Sequence, residues 1–340
     1  PETVLYFTVG TGSGWASFEG YLDAVEFELT NGDIYVFDLE GPADPVYVDD
    51  DWAGLPAATE VAPGRWLGYN AYDTVQNGVN FALTQVNVAD GTYQEQVVID
   101  KDLEVIGAGI GLSTILSPTT LDFQFSTSYN YYPVVTAKNA SVDFRGFTID
   151  GNGQGNAHAR FVGIGYYNAD GELAECETTG TRNEPLDGSQ HGVGIYGLYD
   201  DGAAHTVVCR DNVMADFQKN GMAWATTGAT TLDIQITGCD VTGSPGMTAD
   251  NGDPAQNGIQ VYGAGITALI DGNTVTGIGY DNTNATTKWV ATSILDYFAI
   301  STISNNLIVD AQTAAYTIES PVSYLNNDVN VVKVGESGYG

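Results

Sequence analysis

The chain has 340 residues, and its 43 acidic against 10 basic side chains give a formal net charge of −33. Nucleic acids and anionic membrane surfaces are bound by clustered Lys and Arg, so this charge argues against both kinds of partner. Hydrophobic residues make up 43% of the sequence, which indicates a folded core. No run of 18 apolar residues predicts a membrane span.

The first 45 residues predict a small antiparallel β element and a linker. Three alternating stretches, 3–9, 24–30 and 33–39, are separated by turn residues, and Asn31-Gly32 is typical of a two-residue hairpin. Residues 41–45, GPADP, are typical of a linker or a sharp corner.

One helix is predicted, over residues 72–83. Val75, Val79 and Leu83 recur at four-residue steps, Asp73 is the candidate N-cap, and Gly78 weakens the pattern.

From about residue 97 a short unit recurs, made of a small or amide residue followed by a β-branched stretch. The clearest copies begin at Asp211, Cys239, Asn273, Asn305 and Asn327. Irregular periods of about 20 to 35 residues, with strands and few helices, indicate a solenoid of stacked β-coils. We expect the amide residues of this position to stack as a ladder between coils, not to form a site.

Residues 46–335 resemble a right-handed parallel β-helix of the pectate-lyase-like superfamily. The most specific stretch is 74–116, where QVNVADGTYQE is followed by LEVIGAG; it is similar to the opening of pectin methylesterase-like proteins. The resemblance implies an all-β fold with a short N-terminal capping helix. We expect a long loop insertion at 151–190 and a flexible tail at 336–340.

The resemblance carries little enzymatic signal. The Gln-Asp-Thr-Leu and Gly-Arg-Pro-Trp strings of pectin methylesterases are absent, and only QHGVG at 190–194 echoes a polygalacturonase. If the protein is an enzyme, acid–base chemistry would fall to the candidates His191, Asp200, Asp201 and Arg210.

Two acidic turns are candidate calcium sites, because calcium prefers oxygen ligands in flexible loops. One contains Asp150 and Asn152, and the other contains Asp250, Asn251 and Asp253; Asp49-Asp50-Asp51 is a third acidic cluster. Solvated turns without metal are the alternative. No organic cofactor is expected.

Consecutive tyrosines are candidate contacts with a glycan or with another chain, since Tyr buries a large area at little entropic cost. The candidates are Tyr129, Tyr131, Tyr132, Tyr166 and Tyr167. The three cysteines fit no metal pattern; Cys209 and Cys239 are expected to be free and buried, whereas Cys176 is a candidate for pairing between chains.

Two functions stay open from the sequence. The first is a non-catalytic extracellular structural or adhesive β-helix that binds a glycan or copies of itself, assembling into filaments or a surface layer. The alternative is an enzyme acting on acidic polysaccharides, or a glycan-binding module. The acidic, Lys-poor composition favours an extracellular or cell-surface location, where salt or calcium neutralises the surface.

Overall fold

The protein divides into two units, residues 1–42 and 43–340. The computed structural model describes residues 24–28, 34–38 and 44–331. In the first unit, β1 (Ala24–Glu28) pairs antiparallel with β2 (Ile34–Asp38), which confirms the predicted hairpin strands. The Asn31-Gly32 turn, the predicted strand at 3–9 and the tail at 336–340 lie outside the described residues.

The second unit is a right-handed parallel β-helix, as the sequence predicts. Three long sheets run along the solenoid axis, and each coil contributes one strand to each sheet in turn. Sheet 1 contains β3 (Val46–Val48), β6 (Ala71–Tyr72), β7 (Gln85–Val88), β10 (Leu103–Ile106), β14 (Val142–Arg145), β17 (Gly171–Ala174), β20 (Ala204–Arg210), β23 (Thr231–Thr237), β26 (Ile266–Asp271), β29 (Ile300–Ser304) and β32 (Val322–Leu325).

Sheet 2 contains β8 (Gly91–Gln94), β11 (Ser113–Leu116), β15 (Thr148–Asp150), β18 (Glu177–Thr179), β21 (Val213–Met214), β24 (Asp240–Thr242), β27 (Thr274–Thr276), β30 (Leu307–Ala311) and β33 (Asp328–Val331). Sheet 3 contains β9 (Val97–Ile99), β12 (Phe125–Ser126), β13 (Asn130–Lys138), β16 (Phe161–Tyr167), β19 (Val193–Tyr199), β22 (Asn220–Thr226), β25 (Asn257–Tyr262), β28 (Thr292–Tyr297) and β31 (Thr313–Ile318). A short hairpin of β4 (Glu60–Ala62) and β5 (Arg65–Trp66) and three 3₁₀ turns, Asp50–Trp52, Gln154–Ala157 and Ala249–Asn251, complete the elements.

The core follows from the two-residue period of the strands. In β23, Leu232, Ile234 and Ile236 are buried, whereas the alternating polar side chains face solvent. Parallel pairing places Ile234 between Val207 and Ala268 of the adjacent coils, so apolar columns run along the axis. The hydrophobic interior is therefore continuous from coil to coil.

A helix closes the first coils, as predicted, but it is shorter than the predicted 72–83. Helix α1 spans Val75–Phe81, and its N-cap is Thr74, whose hydroxyl accepts from the Asn77 N–H at 3.3 Å, so Asp73 is not the cap. Gly78 is required here, because a Cβ would lie 2.4 Å from Cγ2 of Val48. Leu83 lies beyond the helix and is exposed.

Charged side chains from the next coil hold both ends of α1. The Glu95 carboxylate accepts from the N–H groups of Val75 and Gln76 at 2.7 and 2.8 Å. The Lys101 ammonium donates to the carbonyls of Asn80 and Ala82 at the other end. An anion at the N-terminus and a cation at the C-terminus both complement the helix dipole.

The corner from sheet 1 to sheet 2 has two residues in the seven coils from β14–β15 to β32–β33. The first residue is left-handed, with positive φ at Gly146, Glu175, Asp211, Gly238, Gly272, Asn305 and Asn326. The second residue, the ladder position, is buried in six of these corners, and Asn327 in the last one is half-buried. Asp211 and Asn305 therefore occupy the left-handed corner, and the expected ladder is shifted by one residue at these two positions.

The ladder itself contains Asn212, Asn273, Asn306 and Asn327. The Asn273 Oδ1 accepts from the Cys239 N–H at 2.9 Å, and its Nδ2 donates to the Ile236 carbonyl and to Asn306 Oδ1. Asn306 repeats this arrangement toward Asn327. These buried amides satisfy backbone groups at a corner where no sheet partner exists.

The expected loop insertion at 151–190 is wrong, because this range contains β16, β17 and β18. Its acidic side chains misled the prediction: Glu172 and Glu177 stand on the outer faces of short strands, and Phe161, Ile164 and Leu173 fill the core. The longer connections are confined to 151–160, which includes the 3₁₀ turn Gln154–Ala157, and 180–192.

All three cysteines are free and buried, as expected for Cys209 and Cys239. Pairing of Cys176 between chains is excluded by its burial at the ladder position, where its N–H donates to Asn212 Oδ1. Burial raises the pKa of the Cys176 thiol to about 12.

Candidate functional site

The structure does not bring the candidate catalytic residues together. His191 precedes β19, and Asp200 and Asp201 follow the opposite end of the same strand. Nine residue steps separate His191 from Asp200, which is about 30 Å along an extended chain. Arg210 ends β20 on sheet 1.

Arg210, Asp200 and Asp201 have structural partners instead, whereas Nδ1 of His191 is buried without a hydrogen-bond partner among the described residues. The Arg210 guanidinium lies 2.6 Å from Glu172, 2.8 Å from Asp211 and 3.1 Å from Glu175, so it ties two coils together. Hydrogen bonds to Glu172 and then to Asp211 raise the pKa of Arg210.

The two aspartates hold the turns between sheets 3 and 1. Asp200 accepts from Asn168 Nδ2 at 3.0 Å, and Asp201 lies 3.1 Å from Nε2 of the buried His205. Burial alone would raise the pKa of Asp201, but hydrogen bonds from the Ala203 N–H and His205 lower it. Burial, and then the charge of Arg160, lower the pKa of His191.

The first candidate calcium turn has an internal role in the fold. Asp150 Oδ1 accepts from the Asn152 N–H at 2.7 Å, which closes a local turn.

The third acidic cluster contains Asp49, Asp50 and Asp51. Each of them places one ligand atom within 4.8 Å of the other two, a spacing that suits a divalent cation.

The second candidate calcium turn links neighbouring loops. Asp250 accepts from Asn284 Nδ2 at 2.8 Å, Asp253 accepts from the Thr248 N–H at 3.0 Å, and Asn251 ends the 3₁₀ turn between them. Calcium binding at either turn stays a prediction.

The candidate tyrosines divide into three groups. Tyr166 is fully buried, and its hydroxyl donates to backbone carbonyls, so it contacts no partner. Tyr131 and Tyr167 stack on Phe125, which folds a loop onto the outside of sheet 3. Tyr132 packs on His158, and Tyr129, 59% exposed, lies under the Arg160 guanidinium.

The outer face of sheet 3 differs from the rest of this acidic protein. Two outward columns run across β16, β19, β22, β25, β28 and β31, and none of their twelve residues is acidic. Aromatic, aliphatic and small side chains dominate them: Gly165, Tyr196, Ala223, Gln260, Leu295 and Tyr316 in one column, and Tyr167, Leu198, Ala225, Tyr262, Tyr297 and Ile318 in the other. On the earlier coils the Phe125 loop covers this strip, and Leu198 and Ala225 are buried beneath it. On the later coils Tyr262 and Tyr316 are exposed, and exposed apolar surface marks a candidate interaction site.

A groove of about 810 Å³ lies on the later coils of this face. Its floor includes Gln260, Leu295, Tyr297 and Tyr316. We call it the lysine–aromatic groove because its sides carry two lysines, Lys219 and Lys288, together with aromatic rings.

Loops between sheets 2 and 3 form the sides of the groove. Trp289, 68% exposed, stands on the loop 281–291, and the Lys288 ammonium donates to carbonyls of the same loop. The Asn284–Asp250 hydrogen bond connects this loop to the next. A flat ring beside polar groups suits a ligand with one apolar face and a polar rim.

Lys219 is the most unusual charge in the groove. It is half-buried, its Nζ donates to the Ala255 carbonyl, and it makes no ion pair with a carboxylate of residues 44–331. Burial lowers the pKa of Lys219 to about 8. An unpaired, partly desolvated ammonium is costly, and an anionic ligand would offset that cost.

Sequence reasoning missed this groove because its residues are far apart along the chain. Lys219 and Lys288 are separated by 69 positions, and only the coil register places both on one face. Their rarity was the available signal: the chain has five lysines, and one of them stands beside an exposed tryptophan in Thr287-Lys288-Trp289.

No helix of the described residues is long and apolar enough to cross a membrane. No protein-family model matches the chain. No curated protein matches it either.

Among solved structures, the chain is similar to a pectin methylesterase from carrot (13% identity, 87% of this chain, 90% of the other, TM-score 0.42). It is similar to a polygalacturonase from Erwinia carotovora ssp. carotovora (12%, 87%, 99%, TM-score 0.37). It is also similar to the A-module of a mannuronan C-5 epimerase from Azotobacter vinelandii (13%, 85%, 98%, TM-score 0.31). The fold assignment rests on the three parallel sheets themselves.

Proposed function

We propose that this protein is a non-catalytic, adhesive β-helix that binds an acidic polysaccharide in the lysine–aromatic groove. The observation that carries the proposal is the meeting of Lys219, Lys288 and Trp289 in one groove, beside two strand columns that contain no acidic residue. Exposed aromatic rings offer flat apolar surface to sugar rings, and the lysines offer charge to their acidic groups.

The net charge of −33 does not prevent this binding. At physiological ionic strength, charges more than about 8 Å apart on a surface are largely screened from one another. The lysines of the groove therefore contribute most to the potential inside it, and acidic side chains elsewhere on the surface contribute little there. Among the groove residues, Asp253 is the acid, and its carboxylate accepts a backbone hydrogen bond.

The experiment is isothermal titration calorimetry with trisaccharides of galacturonate, mannuronate and glucuronate, and with a neutral trisaccharide. We expect an acidic trisaccharide to bind, and Trp289→Ala to weaken it at least tenfold. Trp66→Ala is the matched control, since Trp66 is also exposed but lies on β5, away from the groove. Equal losses in both variants, or no binding to any trisaccharide, would refute the proposal.

One observation supports the alternative, an enzyme acting on acidic glycans. Lys219 has a pKa of about 8, near the range in which an amine acts as a general base. Incubation with each polymer, followed by assays for new reducing ends, unsaturated products and changed sugar stereochemistry, separates the two. Turnover that is lost in Lys219→Met would establish the enzyme and overturn the non-catalytic part of the proposal.

An extracellular location and self-assembly stay predictions from the sequence. Electron microscopy at high protein concentration, with calcium and with chelator, tests for filaments or layers.

A further inference from the structure

The floor of the lysine–aromatic groove contains an amide whose orientation is fixed by its neighbours. Gln260 Oε1 accepts from Asn220 Nδ2 at 2.7 Å and lies 3.5 Å from Asn257 Nδ2. Asn220 and Asn257 are buried and directly paired between β22 and β25. Because the oxygen of Gln260 faces these two donors, its Nε2 group is directed away from them.

That Nε2 group makes no hydrogen bond to any residue of 44–331, and Gln260 lines the groove. Lys219 lines the same groove; it immediately precedes Asn220, and its Nζ donates to the Ala255 carbonyl. An ammonium has three N–H donors, and among residues 44–331 this one donates to the Ala255 carbonyl alone. The groove therefore has two nitrogen donors, on Lys219 and Gln260, with N–H groups left for a ligand.

We propose that Lys219 and Gln260 form a direct seat for one carboxylate of the bound glycan, without a bridging calcium ion. The inference rests on the proposed function and adds the chemical group that the groove selects. A carboxylate has two acceptor oxygens and a full negative charge, so it matches an ammonium and an amide N–H together. A methyl ester has no charge and is a weaker acceptor, so the same seat disfavours it.

The absence of a metal requirement follows from the character of the seat. Calcium is held by oxygen ligands, and Lys219 and Gln260 offer N–H groups toward the ligand. A divalent cation placed between the carboxylate and Lys219 would face a like charge. Among the groove residues, one carboxylate, that of Asp253, could contribute oxygen ligands, and its Oδ2 accepts from the Thr248 N–H at 3.0 Å.

The test uses the whole chain and the acidic trisaccharide that binds most tightly, in its free-acid form and as its methyl ester, at pH 7. We expect the ester to bind at least tenfold more weakly and the free acid to bind equally with calcium or with chelator. Lys219→Met and Gln260→Glu should each weaken the free acid at least tenfold and leave the ester nearly unchanged. Glutamate keeps an oxygen for Asn220, so the second variant retains the local fold.

Matched controls carry the same change elsewhere. Lys138→Met removes a positive charge at the end of β13, and Gln235→Glu adds a negative charge on the exposed face of β23. Equal binding of ester and free acid, loss of binding in chelator, or equal effects of the control variants would overturn the seat while glycan binding itself stands. Failure to bind any trisaccharide would remove the proposed function as well.

Discussion

Replacing Asn273 by Ala tests whether the buried amide ladder stabilises the solenoid. The side chain accepts from the Cys239 N–H at 2.9 Å and donates to the Ile236 carbonyl at 3.0 Å, and Asn273 is buried. Alanine leaves both backbone groups buried without partners. Each buried orphan costs about 1–3 kcal/mol, so we expect Asn273→Ala to lower the free energy of unfolding by about 2–6 kcal/mol.

The matched control is Asn305→Gly. Asn305 is the exposed left-handed corner residue of the next coil, with φ of 55°, and glycine adopts this conformation without strain. We expect this variant to unfold near the wild-type midpoint. The comparison separates the buried ladder position from the corner position beside it.

Urea denaturation measures the midpoint, and amide hydrogen exchange locates the effect. Coils of a solenoid can open separately, so exchange at the Cys239 amide is the sharper readout. We expect this amide to lose protection in Asn273→Ala while amides near α1 keep theirs. A midpoint equal to that of Asn305→Gly, together with an unchanged Cys239 amide, would refute the argument.

Three further predictions concern packing, the cap and pH. Gly197→Ala should lower the free energy of unfolding by about 1–3 kcal/mol through overpacking, because a Cβ there would lie 2.1 Å from the ring of the buried Trp224. Thermal unfolding measures this, and a midpoint equal to that of the wild type would contradict it. Glu95→Gln should destabilise the N-terminal coils by about 1–3 kcal/mol, because the two carboxylate oxygens accept separately from Val75 and Gln76, and an amide places an NH2 group against one of these N–H groups. Exchange of the α1 amides measures the effect, and unchanged protection would count against the cap. Burial lowers the pKa of Lys219 to about 8, so the affinity of the wild-type protein for an acidic trisaccharide should fall as pH rises through 8. Arginine stays charged over this range, so the affinity of Lys219→Arg should be constant up to pH 10. An even wild-type profile over that range would exclude Lys219 from binding.

The fold could be predicted because successive coils of a solenoid repeat the same pattern of buried and exposed residues. Val241 and Val275 are each buried at the same position of sheet 2, and such recurrences determine the architecture without knowledge of any single contact. The ladder could be located only to within one residue. In Asn305-Asn306 both side chains suit a left-handed corner and a buried amide, and in Asp211-Asn212 both suit the left-handed corner.

The groove was beyond sequence reasoning for a different reason. Its chemistry depends on which face of each strand points outward and on how many residues each loop inserts between coils. Gln260 acquires its role only from Asn220, 40 positions earlier, and no local pattern relates the two.

From β14 onward, every coil has two residues between its sheet 1 strand and its sheet 2 strand, so the strands of successive coils start at equivalent positions. Length varies in the other two turns: the ladder positions Cys239 and Asn273 are 34 residues apart, whereas Asn306 and Asn327 are 21 apart. A segment that runs from one corner to the next is therefore a unit that can be removed or inserted without changing the alignment of the remaining coils. Removing residues 273–305 would join Gly272 to Asn306, keep the amide ladder in step, and shorten the rod by one coil, about 4.8 Å.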